Sequence, residues 1–345
     1  MTPSDPINRD LPCVSVVVIG RNEGERLVRC LESVHQADYP RERLELIYVD
    51  SDSTDGSCAA AGRLGAQVIA LAPERPTAGA ARNAGFRAAT HDLVQFLDGD
   101  TVLDPEWLHF AVPAIQAPEV ACVFGRVEEI APKANIYTFW AHHDWFVLPG
   151  PSDTCGGIAL FRKCVLMQAG GFDESLIAGE ERELCCRMMD GQEMTILCLD
   201  RKMVLHDIDM RRFRQYWLRC CRTGHAYAEL SNRRPGLGGM HSPGRSSLYH
   251  VAALVIALGL SIVLWSPWPI ATWAGLIVTA ILRAALRCRK RVGSLRGGLL
   301  YSLHLYLAKL PIALGQFDYW SRCWFSRLPR KLIEYKDDPQ SVSRT

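Results

Sequence analysis

Short apolar runs alternate with amphipathic ones along the first hundred residues. Residues 13–19 (CVSVVVI) are almost all apolar and rich in β-branched side chains, the pattern of a parallel strand buried on both faces. Gly20-Arg21-Asn22-Glu23-Gly24 breaks the run, and residues 25–35 then carry Leu27, Leu31 and Val34 at helical spacing. The unit repeats. Residues 44–49 (LELIYV) predict a strand, 50–56 (DSDSTDG) a polar loop and 57–64 a helix of small residues. Residues 66–71 predict a third strand, 78–90 (AGAARNAGFRAAT) a closely packing helix, and 93–97 (LVQFL) a fourth strand ending in Asp98-Gly99-Asp100. Such β–α alternation predicts an α/β fold, a mostly parallel sheet with helices on both faces. Its ligands bind outside the carboxyl ends of the strands.

The pattern changes in the last hundred residues. Residues 232–247 (NRRPGLGGMHSPGRSS) are rich in Gly, Pro and Ser and read as a linker. Residues 248–282 contain no Asp, Glu, Lys or Arg. As one helix this stretch would run about 52 Å, too long for a hydrocarbon core of about 30 Å. Pro267 and Pro269 divide it, with Trp265 and Trp268 beside them as expected near an interface. The reading is a transmembrane helical hairpin, 248–265 and 269–287 within a segment 248–287. Arg283 and Arg287 snorkel at its exit, or a shallower re-entrant hairpin forms. Cations on both flanks (Arg233, Arg234 and Arg245 before, Arg287 to Arg291 after) place both ends in the cytoplasm. Residues 299–320 read as an amphipathic helix lying in the interface. They belong to a basic membrane-associated tail, 288–345, whose Arg322, Arg327, Arg330 and Lys331 can meet anionic lipid.

Composition narrows the classes. The chain has 345 residues with 39 Lys plus Arg against 37 Asp plus Glu, a net charge of +2. That balance argues against a nucleic-acid partner held by a large basic field. The thirteen cysteines include no CxxC, so neither a disulfide framework nor a zinc site is expected, and the thiols read as reduced and cytosolic. The polar, Pro-rich start (MTPSDPINRDLP) lacks the basic-then-apolar order of a signal peptide. GxGxxG and GxxxxGK[ST] loops are absent, which excludes those dinucleotide and P-loop classes.

The strand ends carry the candidate chemistry. Two carboxylates one residue apart, Asp98 and Asp100, can aim at one hard divalent cation, Mg2+ or Mn2+; as an alternative the triplet is a solvated turn. Asp50 can accept from a nucleobase or a ribose hydroxyl, or else cap the following helix. Arg82 can pair with a diphosphate, or be a surface helix arginine.

In order and at the usual distances, VSVVVIGRNEGERLVRCLESV, YVDSDSTDGS, AGAARNAGFRAA, VQFLDGDTVLDPEWL and CGGIALFRKCVLMQAGGFDESLIAGEERELCCRMM resemble the family 2 glycosyltransferases of the GT-A fold. The resemblance reaches to about residue 230 and predicts a glycosyltransferase domain over 1–231. It implies that Asp98 and Asp100 hold a divalent metal on the donor diphosphate, that Asp50 contacts the base or ribose, and that Asn22 and Glu23 line the nucleotide pocket. Gly20 stands where the family usually has Pro. Glu180-Glu181-Arg182-Glu183-Leu184 matches a stretch whose second residue, the catalytic base, is usually Asp. Glu181 is therefore the first candidate for the base and Glu180 the second, the rival reading being an acidic first turn favoured by the helix dipole. Glu183 and Arg187 read as a supporting i,i+4 pair.

Other residues carry weaker signals. Gly157, after Gly156, can let the backbone approach the donor sugar or simply bend the chain. His206 ends an apolar strand (MVLH) and completes the metal shell in several GT-A enzymes; a structural role is the alternative. Trp140 and Trp145 flank His142, His143 and Asp144 and form either an acceptor wall or a packed core edge. Arg212, Gln215 and Arg219 fall on one helix face and can hold a diphosphate or an anionic lipid. Gln215-Tyr216-Trp217-Leu218-Arg219 lacks the Gln-x-x-Arg-Trp of processive polysaccharide synthases. The expectation is an inverting transferase in glycan or exopolysaccharide assembly, multi-pass in the cytoplasmic (inner) membrane with its catalytic domain facing the cytoplasm. It moves one sugar from a nucleoside diphosphate-sugar to a membrane-proximal, lipid-linked or glycan acceptor among membrane lipids. A processive synthase and a catalytically idle scaffold are the alternatives.

Overall fold

The computed structural model describes residues 11–72, 76–190, 194–234 and 241–325. Two compact units divide the chain, one running to Asp209 and the other starting at Met210.

The first unit is built on one mixed nine-stranded sheet. Strands β1 (Val14–Gly20), β2 (Leu44–Ser51), β3 (Gln67–Leu71) and β4 (Leu93–Asp98) are mutually parallel in the order β3-β2-β1-β4. Helices α1 (Glu25–His35), α2 (Ser57–Arg63) and α3 (Ala78–Ala88) make the crossovers, as the alternating pattern predicts. Val16, Val17, Val18, Ile47, Tyr48 and Val49 are fully buried, which is why these strands read as continuous apolar runs. The sheet continues through β8 (Ala159–Arg162), β6 (Val120–Glu129), β9 (Thr195–His206) and the short β5 (Thr101–Leu103), with β7 (Gly150–Ser152) pairing β9. β8 is antiparallel to both β4 and β6, and β6 and β9 are parallel. Helices α4 (Trp107–Ile115), α5 (Ile136–Asp144), α6 (Lys163–Gln168) and α7 (Glu180–Met189) complete the unit. Trp107 is fully buried beneath this half, and its indole N–H donates to Gln95 Oε1 at 2.8 Å.

The second unit is helical: α8 (Phe213–Arg233), α9 (His241–Val263), α10 (Trp268–Val292), α11 (Leu295–Leu307) and α12 (Lys309–Phe325). Three segments are long and apolar enough to cross a membrane: Pro243–Val263, Trp268–Val292 and Leu295–Phe325. The break between α9 and α10 falls at the expected Trp265-to-Pro269 stretch, and Trp265 takes a positive φ of 48° there.

The helical unit corrects three boundaries. α8, expected within a domain ending at residue 231, belongs to the second unit. Its close partner is α12: a Cβ on Gly224 would collide with the Ile312 carbonyl, and one on Gly315 with that of Cys221, so the two backbones touch where both side chains are missing. The expected linker 232–247 already contains helix from His241. Pro243 sits in the first turn, where its missing N–H costs nothing, and its carbonyl accepts from Ser247 Oγ at 3.0 Å. The single helix expected over 299–320 is two helices, α11 and α12. Its apolar window is 44% covered by the protein itself, against 11% for the two preceding segments. Arg327, Arg330 and Lys331 of the expected basic tail lie outside the described residues.

Candidate functional site

Parallel pairing brings the carboxyl ends of three strands, β1, β2 and β4, together at one edge of the sheet. In register, Gly20 of β1 faces Asp50 of β2, and Ile19 faces Asp98 of β4. Two loops here are stitched to each other. Asn22, with φ of 54°, accepts the Thr54 N–H on Oδ1 at 2.8 Å, and its own N–H donates to Ser53 Oγ at 2.9 Å. The Gly24 N–H donates to Asp55 Oδ2 at 2.9 Å. Asp50 is buried and accepts from the Tyr48 hydroxyl at 2.7 Å and the Ser53 N–H at 2.8 Å. It does not cap α2; Asp55, one residue before the N-cap Gly56, accepts from the N–H and hydroxyl of Ser57. Glu23 is buried and pairs with Arg26 at 2.9 Å.

The acidic triplet after β4 meets the end of β9. β5 pairs antiparallel with β9 so that Thr101 faces His206, and this carries His206 beside Asp100. Ligand atoms of Asp98, Asp100 and His206 lie within 4.8 Å of one another, and His206 Nε2 is 3.6 Å from Asp100 Oδ1. Among the described residues this is the one group of three or more such side chains with metal-binding spacing. Two carboxylates and one imidazole are a donor set that suits Mg2+ or Mn2+, with positions left for phosphate oxygens. The Trp145 ring lies against His206 with centroids 4.4 Å apart.

Arg82 is the hinge of the site. It lies on α3, yet it is only 3% exposed. One terminal nitrogen donates to Asp98 Oδ1 at 2.8 Å and the other to Glu180 Oε1 at 2.6 Å. Burial works against its charge, but Asp98, Glu180 and Glu181 outweigh that and raise its pKa. The surface-arginine reading is therefore wrong, because two carboxylates draw the guanidinium inward. Its terminal nitrogens are spent on protein carboxylates, where the diphosphate reading needed them for a ligand. Gly157 lies against the guanidinium, and a Cβ there would collide with Arg82 Nη2.

Glu180 and Glu181 begin α7, whose N-cap Gly179 has φ of 81°. Glu180 is buried in its pair with Arg82, and Glu181 is half-buried. Burial and the adjacent Glu180 push the Glu181 carboxyl up to about 7. Glu183 pairs with Arg187 at 2.7 Å, as expected. Cys155, next to Gly156-Gly157, and Cys185 on α7 place their sulfurs 3.5 Å apart, and all thirteen cysteines are free thiols.

Trp140 is 5% exposed and packs edge-on against Tyr137, which fits the core-edge alternative, while the Trp145 ring lies against His206. In the second unit, Gln215 is buried and its Oε1 accepts the N–H groups of Arg211 and Arg212 at 2.8 and 2.9 Å. It closes the N-terminus of α8, so Gln215 serves the helix start, while Arg212 is exposed. Sequence reasoning missed Glu129, which ends β6 opposite His206; nothing in one strand's sequence announces its partner across the sheet.

A mixed sheet with an Asp-x-Asp turn beside a strand-end histidine defines the chain's class, the GT-A fold of glycosyltransferases. Residues 15–166 match the family model described as Glycosyl transferase family 2, and this part of the chain is a family 2 glycosyltransferase domain. The chain is 30% identical over 178 residues to Glycosyltransferase AglE of Haloferax volcanii, covering 49% of this chain and 59% of that protein. It is 30% identical over 205 residues to the pre-mycofactocin glycosyltransferase of Mycobacterium tuberculosis, covering 54% of this chain and 41% of that one. The matches thus span about half the length of these relatives. The fold resembles that of the mannosyltransferase PcManGT from Pyrobaculum calidifontis, solved with GDP-Man and Mn2+. Its TM-score is 0.60 at 20% identity, over 92% of this chain and 88% of that one.

Proposed function

We propose that the chain is a metal-dependent, inverting glycosyltransferase that moves one sugar from a nucleoside diphosphate-sugar to a membrane-proximal, lipid-linked acceptor. The observation that carries this reading is the convergence of Asp98, Asp100 and His206 within 4.8 Å at the strand ends. The GDP-Man and Mn2+ held by the structurally similar mannosyltransferase support the donor class and the cation. The three long apolar segments support an acceptor at a membrane, and the cation-rich flanks of α9 and α10 support a cytoplasmic catalytic domain.

Asp98, Asp100 and His206 would hold the cation, which supplies positive charge to the leaving diphosphate. The protein's own groups do the rest. Asp50, fixed by Tyr48 and Ser53, presents its carboxylate to the nucleoside. Glu181 removes the acceptor hydroxyl proton as that oxygen attacks the anomeric carbon from the face opposite the diphosphate, which inverts the centre. Its raised pKa places the carboxylate near neutrality, where a general base works best. Arg82 fixes Asp98 and Glu180 to one another and so sets the distance between the cation and the helix bearing the base.

The test is a panel of radiolabelled nucleotide-sugars with membranes bearing the full chain, Glu181→Gln run in parallel. One sugar added to an extractable lipid, lost in E181Q, supports the reading. Polymer would point to a processive synthase. Absence of any metal-dependent donor turnover would make the chain an idle scaffold.

A further inference from the structure

β6 and β9 run parallel, and over their last three paired positions the register is regular: Val127 faces Val204, Glu128 faces Leu205 and Glu129 faces His206. Facing residues of parallel strands project to the same side of the sheet from backbones about 4.8 Å apart. The pairing is closed by the Ile130 N–H, which donates to the His206 carbonyl at 3.0 Å. Glu129 is only 3% exposed. The backbone N–H groups of Ala131 and Ile208, one residue past Ile130 and two past His206, favour the charged form of its carboxyl. Its own N–H donates to His142 Nδ1 at 3.2 Å, which ties it to α5 as well. The second carboxyl oxygen, Oε2, is buried and has no hydrogen-bond partner. A buried carboxylate oxygen left unmatched needs a donor to account for it.

His206 supplies a candidate donor. Its Nε2 is the nitrogen directed at Asp100, 3.6 Å away. A ring nitrogen that ligates a cation carries no proton, so the imidazole proton must sit on Nδ1. Metal-bound histidines characteristically hand that second N–H to a carboxylate or a carbonyl, which fixes both tautomer and ring orientation.

We propose that Glu129 is a positioning residue of the cation site, whose Oε2 takes the Nδ1–H of His206 and so holds Nε2 toward Asp98 and Asp100. The inference rests on the reading of Asp98, Asp100 and His206 as cation ligands.

Mn2+ binding to the purified full chain in detergent, without donor, tests both levels; electron paramagnetic resonance counts the free ion. Five proteins are compared: wild type, Glu129→Ala, Glu129→Gln, His206→Ala and the double Glu129→Ala/His206→Ala variant. E129A is expected to weaken Mn2+ binding about 10- to 100-fold, the usual cost of removing such a partner. E129Q, whose amide oxygen still accepts, is expected to recover most of the loss and to serve where E129A fails to fold. In the H206A background E129A should add nothing, because residues acting through one group are not additive. An E129A affinity within about twofold of wild type overturns the proposal, and so does an undiminished E129A effect in the H206A background. If H206A itself leaves the Mn2+ affinity unchanged, the ligand assignment falls first and takes this inference with it.

Discussion

Arg82 Nη2 and Asp98 Oδ1 are 2.8 Å apart, joining the middle of α3 to the end of β4. The same guanidinium holds Glu180 at 2.6 Å. One buried cation thus fixes the first aspartate of the Asp-x-Asp turn against the first turn of α7. Removing it leaves Glu180, almost fully buried, without its counter-charge. Breaking a buried pair from one side costs about 3–5 kcal/mol. Arg82→Ala is expected to lower the melting temperature strongly and to abolish transfer. Adding Glu180→Ala should recover stability while transfer stays lost. Calorimetry on both variants checks this, and an R82A protein that melts within error of wild type would refute it.

Glu181 sets a pH signature. Burial and Glu180 raise its carboxyl to about 7, above the ordinary glutamate value. As the proposed base it would work only when ionised, so kcat/KM should rise with pH through about 7 and level above it. Linkage gives the opposite sign for folding: a raised acid binds its proton more tightly in the folded state. Its stabilising share is therefore full below the ordinary glutamate value of about 4.5 and is lost as pH rises through about 7. Glu181→Gln should abolish transfer with donor affinity nearly intact and should flatten both trends. Glu181→Asp restores the residue usual at this position in the family that the chain resembles, but with one methylene fewer. It should retain turnover at a reduced rate. A pH–rate profile on wild type and melting curves across pH on wild type and E181Q decide the matter.

How much of this was legible beforehand follows from where each signal lies. Asp98 and Asp100 were readable because an apolar strand stopped at a turn within five residues of sequence. The Pro267–Pro269 break was readable because proline acts locally. Arg82 was visible as a candidate but not in its role, since both its partners arrive from elsewhere in the chain. Glu129 gave no signal at all, as its meaning comes from β9, about 77 residues away. Trp140 was left between two readings, and the inward place of Gln215 was not seen, for one reason: a polar or aromatic residue on a helix serves the inside or the outside according to a rotation that the neighbouring elements set. The start of α9 inside a Gly- and Pro-rich stretch shows that Pro at a first turn ends nothing.

Trp145 offers an optical report on the proposed cation site. Its ring lies 4.4 Å from that of His206. A paramagnetic Mn2+ bound by Asp98, Asp100 and His206 should quench its emission, and diamagnetic Mg2+ should compete without quenching. Trp145→Phe is expected to remove most of the Mn2+-dependent quenching, although eight other tryptophans remain out of nine. Quenching that persists in the W145F protein would place the ion elsewhere.

Gly157 is expected to tolerate no side chain, and for a reason distinct from backbone freedom. A Cβ at this position would collide with Arg82 Nη2, the nitrogen that holds Asp98. The obstacle is the end of a long side chain, which can move, but Arg82 is pinned from its other nitrogen by Glu180 and is only 3% exposed. Gly157→Ala must therefore displace the guanidinium from Asp98, and the damage should appear first in the cation site. Mn2+ affinity should fall while the fold persists, with a destabilisation of about 1–3 kcal/mol as for other overpacked interiors. Gly156→Ala, one residue away at φ of 67° with open space around its Cβ position, should cost stability through backbone strain and leave Mn2+ affinity alone. Parallel Mn2+ titrations and melting curves on the two variants separate the effects, and equal losses of Mn2+ affinity would show that Gly157 acts through the loop and not through Arg82.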